Sequence, residues 1–180
     1  TSMNADAYFF SVYIWNADLV SRIIHDLAVL KPDAPIVLGG PQASAMDWSQ
    51  AGAKISLVTG EIEGIDPKFY ADLMSDSLAD RYECSRSHFF PSPFRPADYD
   101  EHLANRSIYY ESSRGCPYSC SYCISSTEPG IRLKELELVK RELAEILAHQ
   151  PKSVRFVDRT FNASAARTME IWNFLLAEPH

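Results

Sequence analysis

The sequence predicts an α/β fold with parallel sheet, in two parts joined by a linker. Short apolar segments alternate with amphipathic helices, and several of these segments end in glycine or small polar residues. This alternation is typical of βαβ units, in which a crossover helix returns the chain to a parallel strand. A Ser- and Pro-rich stretch without helical or strand periodicity indicates the linker. We expect one domain over residues 1–76, a linker over 77–105 and a second α/β domain over 106–180.

In the first domain, residues 8–14 (YFFSVYI) predict a central strand of a parallel sheet, because the run is apolar without clean alternation. Apolar residues at helical spacing up to Leu30 predict a helix that Asn16 caps and Lys31-Pro32 ends. The later predicted elements are strands at 36–38 and 55–58 and a helix from Asp66 to about Ser75.

In the second domain the same alternation returns. The predicted elements are a strand at 107–110, a loop from Ser112 to Gly130, a helix with its buried stripe from Leu136 to Leu147, a strand at 152–157 and a last helix from Ala163 to Ala177.

Composition and charge exclude several classes of protein. Of 180 residues, 46% are hydrophobic and 23% charged, which is typical of a globular protein and not of a disordered one. The net charge of -7 would repel a phosphate backbone, so nucleic acid is not an expected partner. No apolar run approaches the ~20 residues that span a bilayer, and residues 1–20 lack the features of a signal peptide. We therefore expect a cytoplasmic protein without a membrane partner.

Three of the four cysteines form a CxxxCxxC loop: Cys116, Cys120 and Cys123. Such crowding suits a metal better than a disulfide framework. Three thiolates can hold three irons of a cubane cluster and leave the fourth iron open. A structural zinc site would require a fourth Cys or His, and the sequence contains no second ligand pair. Cys84 could complete a four-cysteine site, but it has no ligand-like neighbours and is interpreted as a linker thiol. A zinc or iron–sulfur interaction module is the non-enzymatic alternative.

With aromatic Tyr122 before the third cysteine, the loop resembles the CxxxCxΦC motif of the radical S-adenosylmethionine (SAM) superfamily. The resemblance implies that the three cysteines ligate a 4Fe-4S cluster whose open iron chelates SAM. One electron would cleave SAM to methionine and a 5′-deoxyadenosyl radical. The resemblance also implies that Tyr122 lies near the adenine and Asp158 near the methionine amino group. The alternative for Asp158 is an N-cap of the last helix.

In the first domain, Ser11 lies in a predicted strand, Gly39-Gly40-Pro41 follows the next strand and Thr59-Gly60-Glu61 follows another. Glycines at the carboxyl ends of parallel strands let the backbone approach a flat ligand closely. In this order the segments resemble the later part of a cobalamin-binding Rossmann-like domain. The resemblance implies that the cobalamin contacts are Ser11, Tyr13, Trp15, Gly39, Gly40, Pro41, Gly60 and Glu61. Trp15 either covers the lower face of cobalamin or packs in the core. The DxHxxG segment, whose His ligates cobalt in many such domains, does not occur in this sequence. We expect Gly40→Val to weaken cobalamin binding with little loss of fold.

Cobalamin domain, linker and radical SAM barrel is the domain order of the cobalamin-dependent radical SAM enzymes, which this chain resembles. The implied fold is part of a Rossmann-like cobalamin-binding domain followed by the first βα units of a radical SAM partial TIM barrel. Too few residues follow Cys123 to complete a barrel at ~25 to 30 residues per unit. We therefore expect an excerpt of a longer enzyme.

The function that the resemblance implies is that of a methyltransferase. It would transfer a methyl group from methylcobalamin to an unactivated carbon of a small-molecule or peptide substrate, after hydrogen abstraction by the 5′-deoxyadenosyl radical. An external electron donor such as flavodoxin or ferredoxin is implied as a partner. One alternative is a cobalamin-dependent radical SAM cyclase or rearrangement enzyme. A more distant one is a tRNA methylthiotransferase, but that family uses additional N-terminal cysteines, and residues 1–83 contain none.

Overall fold

A computed structural model describes residues 5–86, 90, 92, 94–101, 103, 105–127 and 130–178. The chain divides into two compact units, Thr1–Ser87 and His88–His180. In the described part of the chain, no helix is both long enough and apolar enough to cross a membrane.

The first unit is built on a parallel sheet of four strands in the order β1-β2-β3-β4. Its strands are β1 (Tyr8–Ser11), β2 (Ile36–Gly39), β3 (Ile55–Thr59) and β4 (Arg81–Glu83), and its helices are α1 (Ala17–Leu30) and α2 (Lys68–Met74). Short 3-10 turns occupy Ala43–Ala45 and Ile62–Gly64. Because the strands are parallel, their carboxyl ends share one edge of the sheet.

Two apolar clusters cover the two faces of this sheet. Ile36 and Leu38 pack in one cluster with Val20 and Ile24 of α1, whereas Val37 belongs to the cluster around Phe69 of α2, because side chains alternate along a strand. The apolar run of β2 is therefore that of a strand covered on both faces. The two predicted helices and the strands predicted at 36–38 and 55–58 are confirmed, with α1 ending where Lys31-Pro32 was expected to end it.

The prediction for residues 8–14 is wrong in two respects. β1 ends at Ser11, and within the described sheet it is an edge strand that pairs with β2 alone, with Phe9 56% exposed. The chain turns here because the Asn16 side chain donates to the Ser11 carbonyl and accepts from the Tyr13 N–H. Asn16 therefore holds the turn and makes no side-chain cap bond to α1, contrary to our expectation.

The second unit contains a parallel strand pair and an antiparallel hairpin, β5-β8 and β6-β7. Its elements are α3 (Pro96–Glu101), β5 (Ser107–Tyr110), β6 (Ser113–Cys116), β7 (Gly130–Leu133), α4 (Leu136–Ala148), β8 (Ser153–Phe156) and α5 (Ala165–Ala177). Val139, Leu143 and Ile146 of α4 are fully buried with Ile108 of β5 and Ile171 of α5. The predicted strands and helices of this half are confirmed, but the hairpin replaces part of the predicted loop from Ser112 to Gly130.

The segment expected as a linker, 77–105, is partly structured. Residues 81–83 form β4, which pairs with β3 as the fourth strand of the sheet, and α3 follows later in the segment. A three-residue strand is too short to show the period of two by which strands are recognised in a sequence. The boundary between the two units, after Ser87, falls inside this segment.

Candidate functional site

At the carboxyl edge of the first sheet, the loops after β1 and β2 are joined through the backbone. Ser11 and Gly39 are cross-strand partners. The Val12 N–H donates to the Gly39 carbonyl at 2.7 Å, and the Gln42 N–H donates to the Val12 carbonyl at 3.1 Å. The structure thus brings Ser11 together with the segment 39–41, as the glycine pattern led us to expect.

Gly40 is required by this backbone arrangement. Its φ of +95° is one that side chains rarely adopt, and a Cβ there would lie 2.6 Å from the Val12 carbonyl oxygen and 2.9 Å from the Val12 nitrogen. Our expectation that Gly40→Val spares the fold is therefore wrong. Gly39 differs, because its φ is not positive and a Cβ there would meet the Val58 oxygen at an ordinary 3.6 Å.

The turn after β1 carries exposed aromatic surface. Tyr13 and Trp15 stack with ring centroids 4.6 Å apart and planes at 9°. Trp15 is 77% exposed and its neighbour Ile14 79%, so the alternative that Trp15 packs in the core is wrong. A large stacked apolar surface facing solvent is typical of a binding surface.

Gly60 and Glu61 follow β3 at the same edge, two strands from Ser11. Gly60 lies against Cys84, whose N–H donates to the Thr59 carbonyl at 2.8 Å. Burial, with the Glu63 carboxylate nearby, raises the pKa of the Cys84 thiol and favours its neutral form. Cys84 is a packing residue of the first unit, whereas the other three cysteines belong to the second.

In the second unit, the cysteine loop lies between the hairpin strands. Cys116 is the last residue of β6 and is half-buried, as is Cys123, whereas Cys120 is exposed. The Cys123 N–H donates to the Cys120 carbonyl at 3.0 Å, and the ring of Tyr122 is 90% exposed. Over the ranges that the structure describes, no three His, Cys, Asp or Glu side chains are gathered closely enough to hold a metal ion.

The segment that follows β8, Asp158-Arg159-Thr160, contacts both ends of the cysteine loop. The Asp158 carboxylate accepts bonds from the Ser112 N–H at 3.1 Å, the Ser112 hydroxyl at 2.7 Å and the Ser113 hydroxyl at 2.5 Å. Both serines are 2% exposed. The alternative that Asp158 caps the last helix is wrong, because the Ser164 side chain caps α5.

Thr160 contacts Cys116 directly, and Arg159 acts on Cys123 through Ser125 and through its charge. The Arg159 guanidinium donates to the Ser125 hydroxyl at 2.9 Å, and the Thr160 Oγ1 lies 3.1 Å from the Cys116 Sγ. Hydrogen bonds from the Ser125 side chain and backbone, with the nearby charge of Arg159, lower the pKa of the Cys123 thiol. The lowered pKa favours the thiolate, which is the metal-binding form of cysteine.

A buried polar network supports Ser112. Tyr110, fully buried at the end of β5, donates to the Glu142 Oε2 at 2.7 Å, and the Lys134 Nζ lies 2.8 Å from the same atom. Burial, with Glu142 as acceptor, raises the pKa of Tyr110 and keeps its hydroxyl a donor. Backbone and guanidinium donors reach the Ser112 carbonyl: the Lys134 N–H at 3.0 Å and Arg167 at 3.2 Å.

The donor chemistry of the loop fits an iron–sulfur cluster. Cysteine thiolates are the ligands of such clusters, and the loop offers three of them. Asp158, Arg159 and Thr160 fix the residues at its two ends, while the exposed middle around Cys120 leaves access from solvent. The three sulfurs would still have to converge around the metal.

The sequence interpretation missed several residues that hold the loop. They are Ser112, Ser113, Ser125, Arg159 and Thr160. For Arg159 and Thr160 a signal was present, since both follow a predicted parallel strand, where ligand-binding residues gather. No sequence pattern marked the serines.

Comparison with known proteins gives a distant relationship. No family model matches the chain. The chain is 27% identical over 123 residues to the bacteriochlorophyllide d C-8(2)-methyltransferase of Chlorobaculum tepidum, an alignment that covers 61% of this chain. It spans only 27% of the length of that relative. The chain is thus similar to part of a methyltransferase.

Proposed function

We propose that this chain belongs to a cobalamin-dependent radical SAM methyltransferase, with a 4Fe-4S cluster and SAM on the second unit and cobalamin on the first. The observation that carries the proposal is the CxxxCxΦC loop, whose two ends are held by the residues that follow β8. The similarity to a methyltransferase supports methyl transfer. The substrate is proposed to be a small molecule or a peptide, and an external flavodoxin or ferredoxin the electron donor.

Cys116, Cys120 and Cys123 would hold the cluster in the second unit. When bound, the cluster would supply the electron that cleaves SAM, and cobalamin would carry the methyl group. The lowered pKa of Cys123 favours its thiolate. The exposed ring of Tyr122 is free to contact the adenine.

Asp158 would both position the loop and bind SAM. A carboxylate has about four lone-pair sites. The Ser112 N–H and the hydroxyls of Ser112 and Ser113 donate to three of them, two on Oδ1 and one on Oδ2. Oδ2 keeps capacity for an ammonium group, which is the group that SAM would present. Asp158 would thus contact both Ser112 and Ser113 at the start of β6 and the proposed cofactor.

The carboxyl edge of the first sheet would hold cobalamin. Gly39 and Pro41 present backbone and little side chain there, and the Tyr13–Trp15 stack offers an exposed apolar face beside them. Such an edge suits a large flat ligand, because most of the contacts of that ligand would be apolar and spread over a wide area. Ser11, Gly60 and Glu61 would complete the contacts along the same edge.

The test is anaerobic reconstitution of the chain with iron and sulfide. We expect about four irons and four sulfides per chain and broad absorbance near ~400 nm. Cys116→Ala should abolish both, and Cys84→Ala, a matched control in the first unit, should retain both. Binding of one zinc in place of the cluster would contradict the proposal and favour an interaction module.

Methyl transfer is tested separately from cyclisation. The reconstituted protein is given SAM, hydroxocobalamin and a strong reductant, and its products are measured by chromatography. S-adenosylhomocysteine is expected beside 5′-deoxyadenosine, because methylation of reduced cobalamin consumes one SAM without a substrate. Formation of 5′-deoxyadenosine without S-adenosylhomocysteine would instead favour the cyclase or rearrangement enzyme.

A further inference from the structure

We infer that Thr160 sets the reduction potential of the iron–sulfur cluster by donating a hydrogen bond to the Sγ of Cys116. The inference rests on the proposed function, since it concerns the cluster that Cys116 would ligate. The carrying observation is the 3.1 Å distance between the Thr160 Oγ1 and the Cys116 Sγ.

The direction of this bond follows from the chemistry of the sulfur. When Cys116 is a free thiol, either its S–H group or the Thr160 hydroxyl can be the donor. A cysteine that ligates iron is a thiolate without a proton, so it can only accept. The Thr160 hydroxyl must then be the donor.

Thr160 is held in place on both sides along the chain. Arg159 before it is anchored on the Ser125 hydroxyl at 2.9 Å. Phe161 after it packs against Phe156 and Trp172, with ring centroids 4.6 and 5.6 Å away. The Ala163 N–H also donates to the Thr160 carbonyl at 3.2 Å. The hydroxyl is therefore positioned at Cys116 by the packing of its neighbours.

Hydrogen bonds to the cysteine sulfurs are among the factors that set the potential of an iron–sulfur cluster. The reduced cluster carries more negative charge than the oxidised one. A hydroxyl dipole aimed at the sulfur therefore stabilises the reduced state more, which raises the potential. Without Thr160 the cluster should be harder to reduce.

The experiment measures the midpoint potential of the reconstituted chain by a redox titration followed by electron paramagnetic resonance. Thr160→Val keeps the branched shape and removes the hydroxyl. We expect the equilibrium constant for reduction to fall about tenfold, which is about 59 mV for one electron. Thr160→Ser, which keeps the hydroxyl, should have the same midpoint potential as the wild type. Thr168→Val is the matched control, because the Thr168 hydroxyl donates to the Phe161 carbonyl and not to a cysteine.

The outcomes separate this inference from the proposed function. A wild-type chain that takes up no cluster overturns both. An unchanged potential in Thr160→Val with full iron content overturns the inference alone, as does an equal fall in Thr168→Val. If Thr160→Val does not fold, judged by circular dichroism, the smaller Thr160→Ala replaces it and the same criteria apply.

Discussion

The carboxyl edges of the two parallel sheets are built by different means. In the first unit, backbone hydrogen bonds join the loops that contain Val12 and Gly40, and Trp15 exposes a large apolar ring to solvent beside them. In the second unit, side chains form the connections: Asp158 binds two buried serine hydroxyls, and Thr160 contacts a cysteine sulfur.

The difference matches the two kinds of ligand that we propose for the two units. An edge joined by its own backbone, with an exposed aromatic stack beside it, suits a large flat molecule bound over a wide apolar area. An edge tied by hydroxyls and charges fixes a few polar atoms in place, which suits a small reactive group whose position and electrostatics matter. Variants at Gly40 and Trp15 test whether the first edge depends on its backbone and its aromatic stack. A variant at Asp158 tests whether the second edge depends on its polar side chains.

The largest effect is expected at Gly40. Gly40→Ala places a Cβ 2.6 Å from the Val12 carbonyl oxygen at a φ of +95°. The positive φ is strained for alanine, and the Cβ is too close to the Val12 backbone. Together these two effects should lower the free energy of unfolding by about 2–5 kcal/mol. Hydrogen exchange of peptides from β1 and β2, measured in increasing urea, gives the free energy of unfolding of the first unit separately from that of the second.

Gly39→Ala is the matched control, because its Cβ meets only an ordinary contact at 3.6 Å. Its cost should be below about 1 kcal/mol. Equal losses of unfolding free energy in the two variants would show that the backbone hydrogen bonds between the loops after β1 and β2 do not depend on Gly40.

The glycine pattern illustrates what a sequence can and cannot predict here. Gly39-Gly40 at the end of an apolar run predicted the place of the edge, because strand ends and their glycines are local features. It did not predict which glycine the fold requires, since that depends on the approach of Val12 from the loop after β1. The same limit made β1 look central, because the apolar composition of a strand does not show where it lies in the sheet.

A smaller effect is expected at Asp158. Asp158→Asn removes the charge and replaces an acceptor by a donor, so at least one of the three bonds from Ser112 and Ser113 is lost. The free energy of unfolding of the second unit should fall by about 1–3 kcal/mol. Hydrogen exchange at the Ser112 amide should accelerate accordingly.

The control for Asp158 is Glu137→Gln, which removes an exposed ion pair with Lys140. Exposed pairs contribute about 1 kcal/mol or less. If Asp158→Asn costs no more than this control, the second edge is not held by its side chains.

The second unit shows the same limit of sequence reasoning in another form. The spacing of the three cysteines was evident because the ligands are close in sequence. Asp158 and Ser112 are 46 residues apart, and parallel pairing of β5 with β8 brings them together. That is also why the N-cap interpretation of Asp158 failed: a local pattern was read for a residue whose partners are distant. The hairpin around the loop was missed because its strands, SRGC and GIRL, lack the apolar runs by which the other strands were predicted.

The smallest effect on stability, and the sharpest test of the first edge, is expected at Trp15. Its ring is 77% exposed and stacks on Tyr13, so Trp15→Ala should cost about 1 kcal/mol or less. Binding of hydroxocobalamin, measured by equilibrium dialysis, should nevertheless weaken about tenfold, which corresponds to about 1.4 kcal/mol. The contrast arises because a ring that contributes little to the fold would lose its main contact area with the ligand.

Tyr70→Ala provides the control for this last variant. Tyr70 is an exposed aromatic residue of α2, 54% accessible, that touches Phe69 with ring centroids 5.3 Å apart. Its truncation should change stability by a similar small amount and leave hydroxocobalamin binding unchanged, because Tyr70 lies outside the segments 11–15, 39–41 and 60–61 that we propose as the cobalamin contacts. Equal losses of binding in the two variants would mean that the ligand contacts apolar surface without regard to position. Unchanged binding in Trp15→Ala would remove the aromatic stack from the proposed cobalamin site and leave only the glycine-lined backbone to hold it.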